Sequence, residues 1–183
     1  GMLLSNDEEA LEKALFWATQ ARDQAPWYQH SEMGYNYRMS NIVAGIGRGQ
    51  LTVLNERVKS RREIFKRYKE ALGDIPGVGF MPEANYGQAN RWLTVMTLDS
   101  TKTSITPLEV IEALEAENIE ARPVWKPMHL QPVFAECMYF PHDERDSVSD
   151  RLFSQGVCLP SGSNLTPEEQ QRVIDCICHL IGN

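Results

Sequence analysis

The sequence predicts an α/β (α+β) fold in which a small sheet is covered by helices and preceded by one long helix. Three observations carry this expectation. From Pro76 onward the signals run strand, strand, helix, strand, helix, strand, helix, separated by turn residues, and that order suits a small sheet with helices packed on it. Upstream, Ile42, Val43, Ile46, Leu51, Leu54, Val58, Phe65, Tyr68 and Leu72 keep a helical phase up to Gly73. Finally, Thr106-Pro107-Leu108-Glu109 and Thr166-Pro167-Glu168-Glu169 each combine a capping threonine, a proline at the first helical position and a reciprocating glutamate.

Met2-Leu3-Leu4 reads as a short strand, and Ser5-Asn6-Asp7 before Glu8-Glu9 gives a capping oxygen and first-turn acids for a helix to about Arg22. Gly1-Met2 reads equally as a tag remnant and as native chain. Asp23 to Met33 has no period; its Pro26, Trp27, Tyr28 and His30 make an aromatic loop that either packs onto the body or lines a pocket. Ser40 or Asn41 caps the long helix over about 40–72, whose apolar residues fit one buried stripe. Gly45, Gly47 and Gly49 each cost that helix about 1 kcal/mol relative to Ala, so close packing against another backbone is expected there.

Gly73 and Pro76-Gly77 end the helix, and Val78 to Met81 is a short strand. Arg91 to Leu98 is a strand apolar on both faces, hence central. The Thr106 helix runs to near Asn118, and Ile119 to Val124 forms the next strand, terminated by Pro123 and Pro127. Pro127 to Asp143 is irregular, with a turn of helix around Phe134. Asp146 or Ser147 starts a helix to Gly156, Val157-Cys158-Leu159 is a strand, and Val173, Ile174, Ile177 and Ile181 give the terminal helix its apolar face.

With 42% hydrophobic and 23% charged residues, the 183-residue chain can bury a core of its own. A net charge of -7 speaks against a general nucleic-acid binder. The basic run from Arg57 to Lys69 has Glu56, Glu63 and Glu70 interleaved, as on a solvated helix face. No apolar run approaches the ~18 residues of a membrane span, and no secretory signal precedes the acidic first helix, so the cytoplasm is expected. Cys137, Cys158, Cys176 and Cys178 lack metal-ligand spacing, because Cys-x-Cys on a helix points its thiols about 200° apart. They read as small buried hydrophobes, and no metal site is expected.

Gly45-x-Gly47-x-Gly49 is not a dinucleotide fingerprint, since Gln50 stands where the last glycine belongs and no strand precedes it. Asn36 reads either as a turn former or as an amide able to give two hydrogen bonds to an anion. Arg38 could support an anion or pair with an acid. Arg122, Trp125, Lys126 and His129 follow a strand end, where functional side chains often collect. A guanidinium and an ammonium suit a diphosphate, an indole suits a sugar or base face, and an imidazole can relay a proton.

Several of these stretches carry a resemblance. Gly34-Tyr35-Asn36-Tyr37-Arg38-Met39-Ser40-Asn41-Ile42, Gln50-Leu51, and Arg61, Arg62 and Tyr68 resemble the DegT/DnrJ/EryC1/StrS family. Trp92, Arg122-Pro123-Val124-Trp125-Lys126-Pro127-Met128-His129, Cys158-Leu159-Pro160-Ser161-Gly162 and Leu165-Thr166-Pro167-Glu168-Glu169 match in the same order. The resemblance implies a pyridoxal-phosphate (PLP) dependent aminotransferase that acts on a nucleotide-linked keto-sugar. It further implies glutamate as amino donor, a homodimer, and a place in surface polysaccharide or glycan synthesis.

In that family the Schiff-base lysine lies just upstream of the strand that Gly1-Met2-Leu3 resembles. Residues 1–33 would then be a remnant of the large PLP-binding domain, and 34–183 the small C-terminal domain. The chain by itself is expected to carry no catalytic residue, to hold no covalent PLP and to be inactive. Asn36 matches the position whose amide reaches the cofactor phosphate of the partner subunit. Arg122, Trp125, Lys126 and His129 match the substrate side, which is why Lys126 is not read as the Schiff-base lysine. A rival expectation is a free-standing nucleotide-sugar-binding or interaction module descended from that domain.

Overall fold

The computed structural model describes residues 2–143 and 146–182, so Gly1 of the expected first strand lies outside the described residues. Two compact packing units result, Gly1–Val53 and Leu54–Asn183. They divide inside the stretch expected to be one helix.

In the first unit α1 spans Glu8–Ala18, and the Asp7 side chain accepts from the Ala10 amide at 3.0 Å. Met2, Leu3 and Leu4 are exposed and form no strand, because a strand needs a ladder partner and none pairs with them. The helix also stops short of Arg22. Gln20 (φ 72°) and Ala21 (φ 49°) enter the left-handed region, and the Ala21 amide closes back on the Phe16 carbonyl at 2.8 Å. The returning chain presses on this corner at Gly34, where an added Cβ would stand 2.4 Å from the Ala21 nitrogen. Between corner and return, Asp23 accepts from Gln29 and Ser31, and those two bonds hold its carboxyl below the ordinary range.

Ser40 caps α2 (Asn41–Thr52) by accepting from the Val43 amide. The helix breaks at Val53 (φ -110°, ψ 5°), directly after Thr52, whose hydroxyl donates to the Gly49 carbonyl at 2.7 Å. A threonine bonding back along a glycine-rich turn competes with the regular helical ladder there. α3 (Leu54–Leu72) follows as a separate helix. The expected buried stripe is divided in the same way. Ile42 is 77% exposed, Ile46 61% and Leu51 68%, whereas Ile64, Phe65, Tyr68 and Leu72 are buried. A Cβ at Gly45, Gly47 or Gly49 would meet nothing within 4 Å, so the expected close packing of these glycines is not made within this chain.

The second unit is an antiparallel sheet of order β1-β2-β4-β3, from β1 (Val78–Phe80), β2 (Thr94–Leu98), β3 (Arg122–Pro123) and β4 (Gly156–Leu159). β2 is internal, as its apolar run predicts, and pairs Thr94 with Leu159 through to Thr97 with Gly156. The strand expected from Arg91 begins only at Thr94, because Arg91 is left-handed (φ 52°). The strand expected over 119–124 shrinks to two residues at the sheet edge, a position that tolerates Pro123.

α3, α4 (Pro107–Ala116) and α6 (Pro167–Gly182) join the sheet around a core of Ile64, Tyr68, Leu72, Met96, Leu98, Val110, Leu114, Val157, Leu159, Val173, Ile174 and Ile177. Thr106 and Glu109 form the predicted capping box, Thr166 and Glu169 repeat it, and Ser147 caps α5 (Val148–Gln155). Of the four cysteines expected to be buried, Cys158 is buried and Cys176 half-buried, while Cys137 and Cys178 are exposed. Their apolar reading fails because Cys137 lies in the irregular stretch and Cys178 sits off the apolar face of α6. Among the described residues no group of His, Cys, Asp or Glu is arranged to hold a metal, and no helix is long and apolar enough to cross a membrane.

The loop before β2 is held by charge. Arg62 forms a two-pronged pair with Glu83 (2.9 and 3.3 Å) and donates to the Ala89 carbonyl. Glu83 also accepts from the Ala89 amide at 2.7 Å, with Arg91 3.6 Å away. The Arg62 hydrogen bond first, then the Ala89 amide, bring the Glu83 carboxyl down from 4.5 to about 2. Such a depressed value adds stability that is fully present above about 4.5 and is lost as pH falls through about 2.

Two outcomes are expected. The urea midpoint should be level from neutral pH down to about 5 and then drop toward about 2, with Asp99, also lowered to about 2, contributing in the same window. Glu83→Gln should make that drop shallower; a curve parallel to that of the unaltered chain would exclude the network as its cause. Second, the exposed stripe of α2 together with Met2–Leu4 should drive self-association of the 183-residue chain, because large apolar patches are seldom left wet. Sedimentation that finds only monomer at high concentration would contradict this.

Candidate functional site

In the first unit Asn36 stands on the strand-like return opposite Thr19. The Tyr35 amide donates to the Trp17 carbonyl (2.9 Å), the Tyr37 amide to the Ala18 carbonyl (3.0 Å), and the Tyr35 carbonyl accepts from the Gln20 amide (3.1 Å). The backbone on both sides of Asn36 is thereby fixed. Its side chain is exposed and makes no hydrogen bond among the described residues. Arg38 is exposed too, and no acid pairs with it among the described residues. Ser40, two residues further on, opens α2. The combination offers an amide, a guanidinium and the start of a helix to an anion.

In the second unit the four residues singled out from sequence separate into different settings. Arg122 is exposed and donates to Glu120 at 2.7 Å. Trp125 is 65% exposed and stacks on Trp92, itself 61% exposed, with centroids 6.1 Å apart and planes 26° apart. Lys126 is exposed and unpaired among the described residues. His129 lies in the middle of the 3₁₀ turn Met128–Leu130, which a second, Pro132–Phe134, follows, and it is the most enclosed of the four. Its ring stacks on Tyr139 at 3.6 Å, and Nε2 lies 2.7 Å from Asp150 Oδ1 without hydrogen-bond alignment. No hydrogen bond, ion pair or ring contact joins any two of these four among the described residues.

Sequence reasoning missed what supports Trp92. Arg61, read as part of a solvated basic face, donates instead to the Trp92 and Ser161 carbonyls, and the Tyr68 hydroxyl donates to the Pro160 carbonyl at 2.9 Å. The signal was present in the Arg-Arg-x-x-x-x-x-Tyr pattern, whose Arg61 and Tyr68 stand seven residues apart on one helix face. Burial also pushes the Tyr68 phenol above its ordinary range. A groove of about 640 Å³ between α4 and α6, lined by Glu117, Ile119, Arg172, Asp175 and Cys176, contains none of the predicted site residues.

The family model of the DegT/DnrJ/EryC1/StrS aminotransferase family matches residues 1–178. Among curated relatives, EpsN of Bacillus subtilis (strain 168), provisionally named a pyridoxal phosphate-dependent aminotransferase, is 56% identical over 98% of this chain and 46% of its own length. The GDP-perosamine synthase of Vibrio cholerae is 30% identical over 97% of this chain and 47% of its own. Among solved structures, DesI in the presence of its TDP-sugar product superposes with a TM-score of 0.77 at 24% identity, covering 98% of this chain and 45% of that one. This chain thus spans about half the length of the curated relatives it matches. With a family model matched almost end to end, the chain belongs to the DegT/DnrJ/EryC1/StrS aminotransferase family.

Proposed function

We propose that this chain is the C-terminal part of a PLP-dependent aminotransferase that moves an amino group from glutamate to a nucleotide-linked keto-sugar for surface polysaccharide or glycan synthesis. The observation that carries the reading is Asn36: an amide on a fixed backbone, exposed and without a hydrogen-bond partner among the described residues, in a chain of an aminotransferase family. The sugar-nucleotide in the names of the perosamine synthase and of the DesI complex supports the substrate class. In this reading residues 1–33 belong to the large domain and 34–183 to the small one, and the enzyme works as a cytoplasmic homodimer.

The residues present fit one corner of PLP, its phosphate. Asn36 would donate a hydrogen bond from its amide to a phosphate oxygen across the dimer, and Arg38 would add charge. Bound PLP supplies the electron sink through which an amino group changes carbon. The remaining roles fall to this chain's second unit. Arg122 and Lys126 hold the diphosphate, with Arg122 exchanging its exposed contact to Glu120 for a phosphate oxygen. Trp125 covers a sugar or base face. His129, with Nε2 2.7 Å from Asp150 Oδ1, is the side chain placed to relay a proton.

The Schiff-base lysine is assigned to a segment outside the 183 residues, so PLP mixed with this chain alone should give no activity and no stoichiometric borohydride-trapped adduct at a single lysine. A specific adduct would refute that assignment. In the full-length protein, Asn36→Ala should leave folding intact and weaken PLP retention about tenfold to a hundredfold, the loss of one charge-assisted hydrogen bond of roughly 1.5–3 kcal/mol. A heterodimer of the Asn36→Ala chain with a chain lacking the Schiff-base lysine has one site with both defects and one with neither. It should recover about half the activity, as one intact site in two requires. If it stays as inactive as either homodimer, the cross-subunit role of Asn36 is wrong.

A further inference from the structure

The end of the β2·β4 ladder is finished by α3. The last backbone rung pairs Thr94 with Leu159. Two residues beyond, on the same register, Trp92 and Ser161 would form the next pair. Instead, Arg61 Nη1 donates to both of their carbonyls, with Ser161 at 3.0 Å, and a guanidinium takes the place of the missing rung. Ser161 is buried, so its carbonyl needs this donor. Trp92 is fixed from its other side as well. Its amide donates to Asn90 Oδ1 at 3.0 Å, and it follows Arg91, whose left-handed backbone a non-glycine residue adopts only when its surroundings impose it. Arg91 in turn is pinned by its bond to the Met81 carbonyl at 2.8 Å and by its seat over the Phe65 ring at 3.8 Å. So much constraint on one residue ends in an indole left in water. It meets only one described ring, the equally exposed Trp125.

We infer that Arg61 is a positioning residue: by fixing the Trp92 backbone it holds the two indoles together and makes them one aromatic face. That this face receives a flat ring of the nucleotide-sugar rests on the substrate role proposed for Trp125. Two stacked indoles present a broad, rigid, weakly hydrated surface, the kind on which a base or the apolar side of a sugar stacks. Without Arg61 the Trp92 and Ser161 carbonyls lose their shared donor, the end of the ladder frays, and the indoles separate. The face then loses its second half while the chemistry at the cofactor is untouched.

The test uses the full-length protein with Arg61→Ala and with the milder Arg61→Lys, which keeps the charge but ends one atom short of Nη1, the single nitrogen that donates to both carbonyls. The exciton couplet of the two indoles is read by circular dichroism as the difference from Trp92→Phe. In both Arg61 variants it should weaken. KM for a nucleotide-linked keto-sugar should rise about tenfold, within the range of a lost stacking contact, while kcat changes by less than about twofold, as for loss of uniform binding. A folded Arg61→Lys protein that keeps its full couplet overturns the inference, and so does a variant whose kcat falls while KM stays put. Trp125→Ala separates this from the substrate reading. If it leaves KM unchanged while the Arg61 variants lose the couplet, the substrate role of Trp125 fails and the positioning of the pair stands.

Discussion

The second unit depends on the short ladder between β2 and β4 and on the α3 side chains that complete it. Four rungs make a small structure, and just beyond them the carbonyl of buried Ser161 faces neither a strand nor open water. Each such group left dry would cost about 1–3 kcal/mol. α3 meets the need twice over: Ile64, Tyr68 and Leu72 bury its inner face against the sheet, while Arg61 and the Tyr68 hydroxyl satisfy Trp92, Ser161 and Pro160. Apolar burial holds the helix against the sheet, and the polar contacts select one alignment. The loop before β2 is then tied to the same helix by Arg62 through Glu83, so α3 holds both the loop that carries Trp92 and the segment that follows β4.

Local chemistry was legible in the sequence because its causes are local. Ser40, Thr106 and Thr166 cap helices with bonds that span three residues, and each was readable from a four-residue window. The central place of β2 followed from its apolar alternation on both faces, and the order of elements after Pro76 gave the sheet and its helices. What escaped acts across long stretches of chain. Arg61 reaches a carbonyl 100 residues away, yet within its own helix it is one basic residue among several. The left-handed turns at Gln20, Ala21 and Arg91 carry no glycine to announce them; they are imposed by Gly34 packing in one case and by the Arg91 anchors in the other.

The divided stripe shows what periodicity does and does not say. Ile42, Val43 and Ile46 keep the same phase as Ile64, Tyr68 and Leu72, but only the second set has a sheet beneath it. Phase reports which side of a helix should be covered, whereas the covering surface is a property of the tertiary structure. The break at Thr52 and Val53 falls between the two sets, and cover is complete only from Ile64 onward. The glycines at 45, 47 and 49 belong to the uncovered half, and their missing side chains leave a helix surface that another backbone could approach closely.

The candidate residues differ in how much of their bonding capacity the chain has already used, and that difference orders their fitness for a ligand. His129 is engaged on two sides, by the Tyr139 ring and the Asp150 carboxylate, so a ligand there must displace contacts that are partly shielded from water. Arg122 holds Glu120 in open solvent, where such a pair is worth about 0–1 kcal/mol and a phosphate oxygen can replace the carboxylate at little loss. Asn36 and Lys126 are unengaged among the described residues, but they are not equivalent. Lys126 carries its charge on a long flexible stem whose freedom is lost on binding, whereas the Asn36 amide projects from a backbone already fixed on both sides by bonds to Trp17 and Ala18. The backbone part of its ordering cost has been met during folding, so in the reading proposed above only the side chain's own torsions remain to be fixed when an anion binds.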